Sequence, residues 1–175
     1  MAVPSSAANS TNNKRKYEDE DPIMKKMLEA MQQGEKVMET AGRKPLSWLL
    51  DLHEQGRIEN YKNQRVSCWC ESDQREYIEK SFEREHNPVM LIRCTVGKSV
   101  PYEIGDGGNR ATAFLNFAHD RFPIHVTNDK GDKVDVYYSQ LDDATKFAWR
   151  MHTDISLLQL RNISDEKFEE RVCFC

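Results

Sequence analysis

Asp106, Asn109 and Arg110, set among Gly105, Gly107 and Gly108, are the residues in this sequence best suited to chemistry. Glycines permit positive φ and let a ligand approach the main chain closely. A guanidinium four positions past a carboxylate could fork onto a phosphate or a carboxylate ligand. Asp106 could hold Mg²⁺ beside the phosphates, because that ion takes oxygen ligands and keeps several waters. It could equally fix the loop by hydrogen bonds or cap a helix. Asn109 could ligate the metal or act as a cap. The plain alternative for Gly107, Gly108 and Arg110 is a tight turn beside a surface arginine.

The elements around these residues decide what they can reach. Tyr102, Glu103 and Ile104 have strand character, and Ala111, Ala113, Phe114, Leu115, Phe117 and Ala118 recur at helical spacing after the loop. The pattern predicts strand, glycine loop and helix over residues 102–117. Main-chain N–H groups at the start of such a helix attract anions, and the helix dipole adds to the effect. The expectation is a phosphorylated ligand or a nucleic-acid backbone.

The rest of the chain predicts a frame for that element. Residues 1–21 lack apolar periodicity and read as a disordered tail. Their Lys14-Arg15-Lys16 cluster is either an import signal or part of a solvated tail. Residues 22–44 read as a helical extension. Its helix runs over 22–41 with Ile23, Met27, Met31 and Met38 near one face, before a break at Gly42-Arg43-Lys44-Pro45. A domain is expected over residues 45–175. It begins with a helix from Leu46 that Gly56 caps, then an extended piece from Arg57 to Gln64. Ser72 or Asp73 caps a helix reaching about His86, with Tyr77, Ile78, Ser81 and Phe82 inward. Residues 89–96 form a buried strand, and residues 122–126 and 133–138 a hairpin. A helix opens at Ser139 or Asp142, with Leu141, Phe147, Ala148 and Met151 on its apolar side. Ile155 starts a last strand, and Ser164 caps a short helix. The fold class is α/β (α+β), with a small mixed sheet and flanking helices.

Composition narrows the function. The 175 residues are 38% hydrophobic and 31% charged, with a formal net charge of −4. That balance gives no global attraction to nucleic acid, so DNA binding would need a local basic patch. No apolar run approaches the roughly 20 residues of a membrane span, and the first residues lack the plan of a signal peptide. The five cysteines include the Cys68/Cys70 and Cys173/Cys175 pairs. Their one-residue spacing is unlike a zinc knuckle, so free thiols are expected, in the cytoplasm or nucleus. The five histidines form no metal-binding pattern.

Several separated residues, taken in order, resemble one family. Gly56, the Gln64-Arg65 pair, Trp69, Gln74, the run from Tyr77 to Phe82, and Asp106-Gly107-Gly108-Asn109-Arg110 are similar to the N-terminal domain of GmrSD-type restriction endonucleases. These belong to the ParB-like/sulfiredoxin superfamily, and their signature reads Asp-Gly-Gln-Gln-Arg. The resemblance spans about residues 46–172 by motif order. It implies a ParB-like fold whose signature loop contacts a nucleoside triphosphate with Mg²⁺, and possible hydrolysis controlling a nuclease. It places Gln64 and Arg65 against the same pocket as Gly107, Gly108 and Arg110, with Asp106 and Asn109 as the catalytic pair. Two departures bear on this. Gly108 and Asn109 replace the signature glutamines. The sequence also lacks the Phe-x-Arg-Leu-Asn stretch and nuclease half, so the expectation is a truncated or minimal version of the family, or an N-terminal fragment of something longer. The competing expectation is a non-catalytic module that binds DNA or regulates a separate nuclease.

Overall fold

A five-stranded mixed sheet carries the molecule, and its strand order is not the order of the chain. A computed structural model describes residues 37–62, 68–83 and 88–173. Strand β1 (Met38–Pro45) leads directly into helix α1 (Leu46–Glu54), followed by β2 (Ile58–Asn60), α2 (Glu71–Phe82), β3 (Val89–Cys94) and β4 (Tyr102–Asp106). Helix α3 (Gly108–Ala118), the hairpin strands β5 (Ile124–Thr127) and β6 (Lys133–Val136), α4 (Asp143–His152), β7 (Asp154–Arg161) and α5 (Asp165–Cys173) complete it. The sheet runs β1-β7-β3-β4-β2, while β5 and β6 pair only with each other. The fold is α/β, as the sequence predicts.

Alternation along the strands creates two cores. Met90 and Ile92 of β3, Ile104 of β4, and Ile155 and Leu157 of β7 join the buried sides of α1 to α4 in the larger one. Leu91 and Leu160 point the other way, against Tyr61 and Phe168 of α5. Phe114, Phe117 and Phe168 are fully buried. Trp149 of α4 ties the larger core together. It stacks on Phe82 at 5.4 Å, meets Phe117 edge-on at 5.3 Å, and donates its indole N–H to Ser81 Oγ at 3.0 Å.

The helix ends follow local rules. Gly56 takes φ 63° just past α1, and Arg57 N–H returns to the Leu52 carbonyl at 2.8 Å, closing the helix as its glycine predicts. Asp142 caps α4 by accepting from Thr145 N–H at 2.9 Å. Helix α2 starts earlier than expected. Its N-cap is Cys70, and the Asp73 carboxylate reaches back to Cys70 N–H at 3.1 Å, which is one half of a capping box.

Two sequence expectations are corrected. Residues 38–41 are strand, not the end of a helix, and Gly42-Arg43-Lys44-Pro45 continues that strand instead of breaking the chain. The partner that decides this is β7, aligned antiparallel from Met38 opposite Arg161 to Pro45 opposite Asp154. Helical spacing cannot sense a partner so distant in the chain. On α4 the apolar side was misjudged. Phe147 is 63% exposed and Met151 41%, whereas Trp149 is buried. One large aromatic, with its ring wedged between Phe82 and Phe117, sets the rotation of the helix against the summed preference of smaller residues. The tail over 1–21, the stripe of Ile23, Met27 and Met31, and the Gln64-Arg65 pair lie outside the described residues.

Candidate functional site

The strand–loop–helix around Asp106 is present, and its glycines are used by the fold itself. Leu91 pairs with Asp106 while Ile92 pairs with Ile104, so β4 carries an extra residue at Gly105. A Cβ on Gly105 would stand 2.6 Å from Phe168 Cζ and 2.8 Å from Val172 Cγ2, so its bareness is what lets α5 close on the sheet. Gly107 caps α3 in a left-handed conformation at φ 92°. A Cβ there would meet Met90 Cγ at 2.8 Å. Both Gly107 and Gly108 are buried.

Past these glycines, Asn109 and Arg110 in the first turn of α3 are half-buried. Its N-cap supplies no side-chain acceptor, and among the described residues none accepts from the main-chain N–H of Asn109 or Arg110. Arg110 donates through Nη1 to the Val89 carbonyl at 2.6 Å, and the same nitrogen lies 3.7 Å from Asp106 Oδ2. The Arg110 and Asp106 side chains are 35% and 44% exposed. Nε and Nη2 of Arg110 have no partner among the described residues.

Asn109 is already engaged. Its Oδ1 accepts from Cys68 N–H at 3.1 Å, and its Nδ2 lies 3.7 Å from Cys68 Sγ. The residue therefore clamps the Cys68-Trp69-Cys70 segment onto α3. Trp69 in turn meets Tyr77 edge-on at 5.1 Å. No local pattern points to the Cys68 and Val89 contacts, since Cys68 and Asn109 are 41 residues apart.

A metal would need help at this place. No cluster of three or more His, Cys, Asp or Glu suited to a metal occurs among the described residues. Asp106 alone supplies one carboxylate oxygen set, which fits an ion that arrives already bound to phosphate oxygens and water. The exposed thiols of Cys68 and Cys70 are free. Cys70 Sγ sits 2.8 Å from Ser72 Oγ at the start of α2.

Two further polar clusters went unforeseen. Arg93 is buried at 3% exposure and bonds Glu103 and Asp165, with Nη2 2.6 Å from Glu103 and Nη1 2.5 Å from Asp165. Its guanidinium packs against both the Phe168 and Tyr61 rings, 4.6 and 5.3 Å from their centroids, and the rings meet each other edge-on at 5.0 Å. The Arg93 hydrogen bond holds the Asp165 carboxyl below its ordinary range. Elsewhere, Arg75 Nη1 faces His125 Nε2 at 3.3 Å, and His125 Nδ1 lies 2.7 Å from Asp135. These contacts, with the His125 main-chain N–H donating to Glu79 at 2.8 Å, pin the hairpin to α2.

No family model, curated protein or solved structure matches the chain. No helix among the described residues is long and apolar enough to cross a membrane.

Proposed function

We propose that the first turn of α3 binds the phosphates of a nucleoside triphosphate, as the resemblance of Asp106-Gly107-Gly108-Asn109-Arg110 to the restriction-endonuclease signature implies. The observation that carries this reading is a guanidinium edge of Arg110 and two main-chain amides at one helix N-terminus that have no partner among the described residues. A ligand phosphate would take the Asn109 and Arg110 N–H groups and the Nε/Nη2 edge of the guanidinium. Asp106, across from Arg110, would meet a Mg²⁺ ion carried in on the phosphates. Such an ion would neutralise phosphate charge beside the carboxylate. Gly107 and Gly108 serve by letting the chain turn sharply under the phosphates, and Gln64 and Arg65 are proposed to close the pocket from the neighbouring segment.

The commitment of Asn109 to Cys68 favours binding over turnover. A side-chain amide that orients an attacking water must be available to that water, and this one spends its acceptor on a main-chain N–H. The proposed role is therefore a nucleotide-responsive module with at most weak hydrolysis, the kind of part that would regulate a nuclease.

Calorimetry with ATP, GTP and CTP in the presence of Mg²⁺, on the full chain and its Arg110→Ala variant, tests this. Binding by the unaltered chain that weakens at least about tenfold in the variant is expected, the share of one charge-assisted contact. Equal binding or none in both removes the reading. Strongly salt-dependent DNA binding without nucleotide would replace it with a backbone-binding role.

A further inference from the structure

The two edges of the sheet are unequal. Strand β2 ends one side with three residues, whereas β1 ends the other with eight. Residues 39–44 of β1 are all exposed. Among the described residues no strand pairs with the outer side of β1, so alternate residues there present N–H and C=O groups to solvent. Long bare edges are template surfaces, and proteins either blunt them or use them.

The sequence of this edge is complementary to itself. It reads Glu39-Thr40-Ala41-Gly42-Arg43, an acid and a base at equal distances from Ala41. Two antiparallel copies centred on Ala41 place Glu39 opposite Arg43 at both ends, with only small residues between. Opposed residues of an antiparallel pair direct their main-chain groups the same way, so this register is allowed whichever set of alternate groups points outward. Among the described residues Glu39 has a long contact to Arg171, at 3.6 Å. Arg43 has no carboxylate within ion-pair distance among the described residues. Pro45 stops the pairing beyond this stretch. The open groove of about 500 Å³ beside β1, floored by Val89 and Leu158, would gain a wall from the second strand.

We infer that the β1 edge is the seam of a two-fold homodimer, in which Glu39 of each copy meets Arg43 of the other and the two sheets join into one. A second copy is the occupant because the charges match under a two-fold exchange, the condition for a closed isologous interface.

Sedimentation equilibrium of the full chain, with Glu39→Arg, with Arg43→Glu and with both, tests the seam. The unaltered chain is expected to dimerise. Each single change sets like charges opposite twice and weakens dimerisation at least about tenfold. The double change restores it. Mixing the two single variants is expected to yield a heterodimer, since one brings two cations to the seam and the other two carboxylates. Arg43→Gln, which introduces no repulsion and disturbs no described contact, is expected to weaken the dimer less than Arg43→Glu. A monomeric unaltered chain, a dimer indifferent to the single changes, or mixed variants that fail to associate while their melting transitions remain intact would each overturn the inference.

Discussion

Two arginines stand at opposite ends of β3 and do opposite things. Arg93, near the end of the strand, is buried against two aromatic rings and bonded to two carboxylates. Arg110 meets the start of the same strand through one nitrogen, on the Val89 carbonyl, and its other two have no partner among the described residues. Each lies near carboxylates, so charge pairing alone does not separate them. What separates them is desolvation and saturation. A buried guanidinium must have its donors satisfied, because an unpaired one carries the full cost of leaving water. A half-exposed one can hold donors in reserve for a ligand. The first kind of arginine builds the fold, and the second can be used by it.

That contrast fails or gains force under substitution. The largest effect is expected at Arg93. Arg93→Leu leaves Glu103 beneath α5 with only the long contact to Lys98, at 3.8 Å, among the described residues, and should cost about 3–5 kcal/mol in chemical denaturation, the loss typical of breaking a buried pair from one side. Gly105→Val comes next. Its side chain would press on Phe168 and Val172, and a loss of about 1–3 kcal/mol is expected on the same assay, with α5 loosened in hydrogen exchange. Gly107→Ala should cost about 1–2 kcal/mol, from a left-handed backbone that alanine resists, with Met90 displaced besides. Arg110→Ala should change stability by no more than about 1 kcal/mol, because its pair with Asp106 is long and solvated. An Arg110→Ala variant as unstable as Arg93→Leu would erase the distinction between the two.

A pH titration gives the smallest readout. The Asp165 carboxyl is depressed in the folded chain by the Arg93 hydrogen bond. Its contribution is therefore present above the ordinary carboxylate value of about 3.9, and is lost as pH falls through the lower folded value. Denaturation midpoints measured from neutral pH down to this range should fall less for Asp165→Asn than for the unaltered chain. Identical slopes would mean that the Arg93 cluster stands on Glu103 alone.

Much of the site was legible before any coordinates. Strand, glycine turn and helix over residues 102–117 follow from apolar spacing and from Gly107, and the helix caps at Gly56 and Asp142 follow from residue type. What Gly105 does was not legible, since the residues that crowd it belong to α5. The roles of Arg93, Trp149 and Asn109 were hidden for the same reason. Nothing near Arg93 in the sequence points to Asp165, and nothing near Asn109 points to Cys68.

By itself the sequence determined the caps at Gly56 and Asp142 and the order strand, glycine turn and helix across β4 and α3. Those outcomes depend on φ preferences, capping and periodicity, which act within a few residues. Only the tertiary structure decided that β1 is a strand, that Arg93 is sealed, and that two nitrogens of Arg110 have no partner among the described residues. Those depend on strand pairing and water exclusion between distant segments, and local residue preferences carry no record of either.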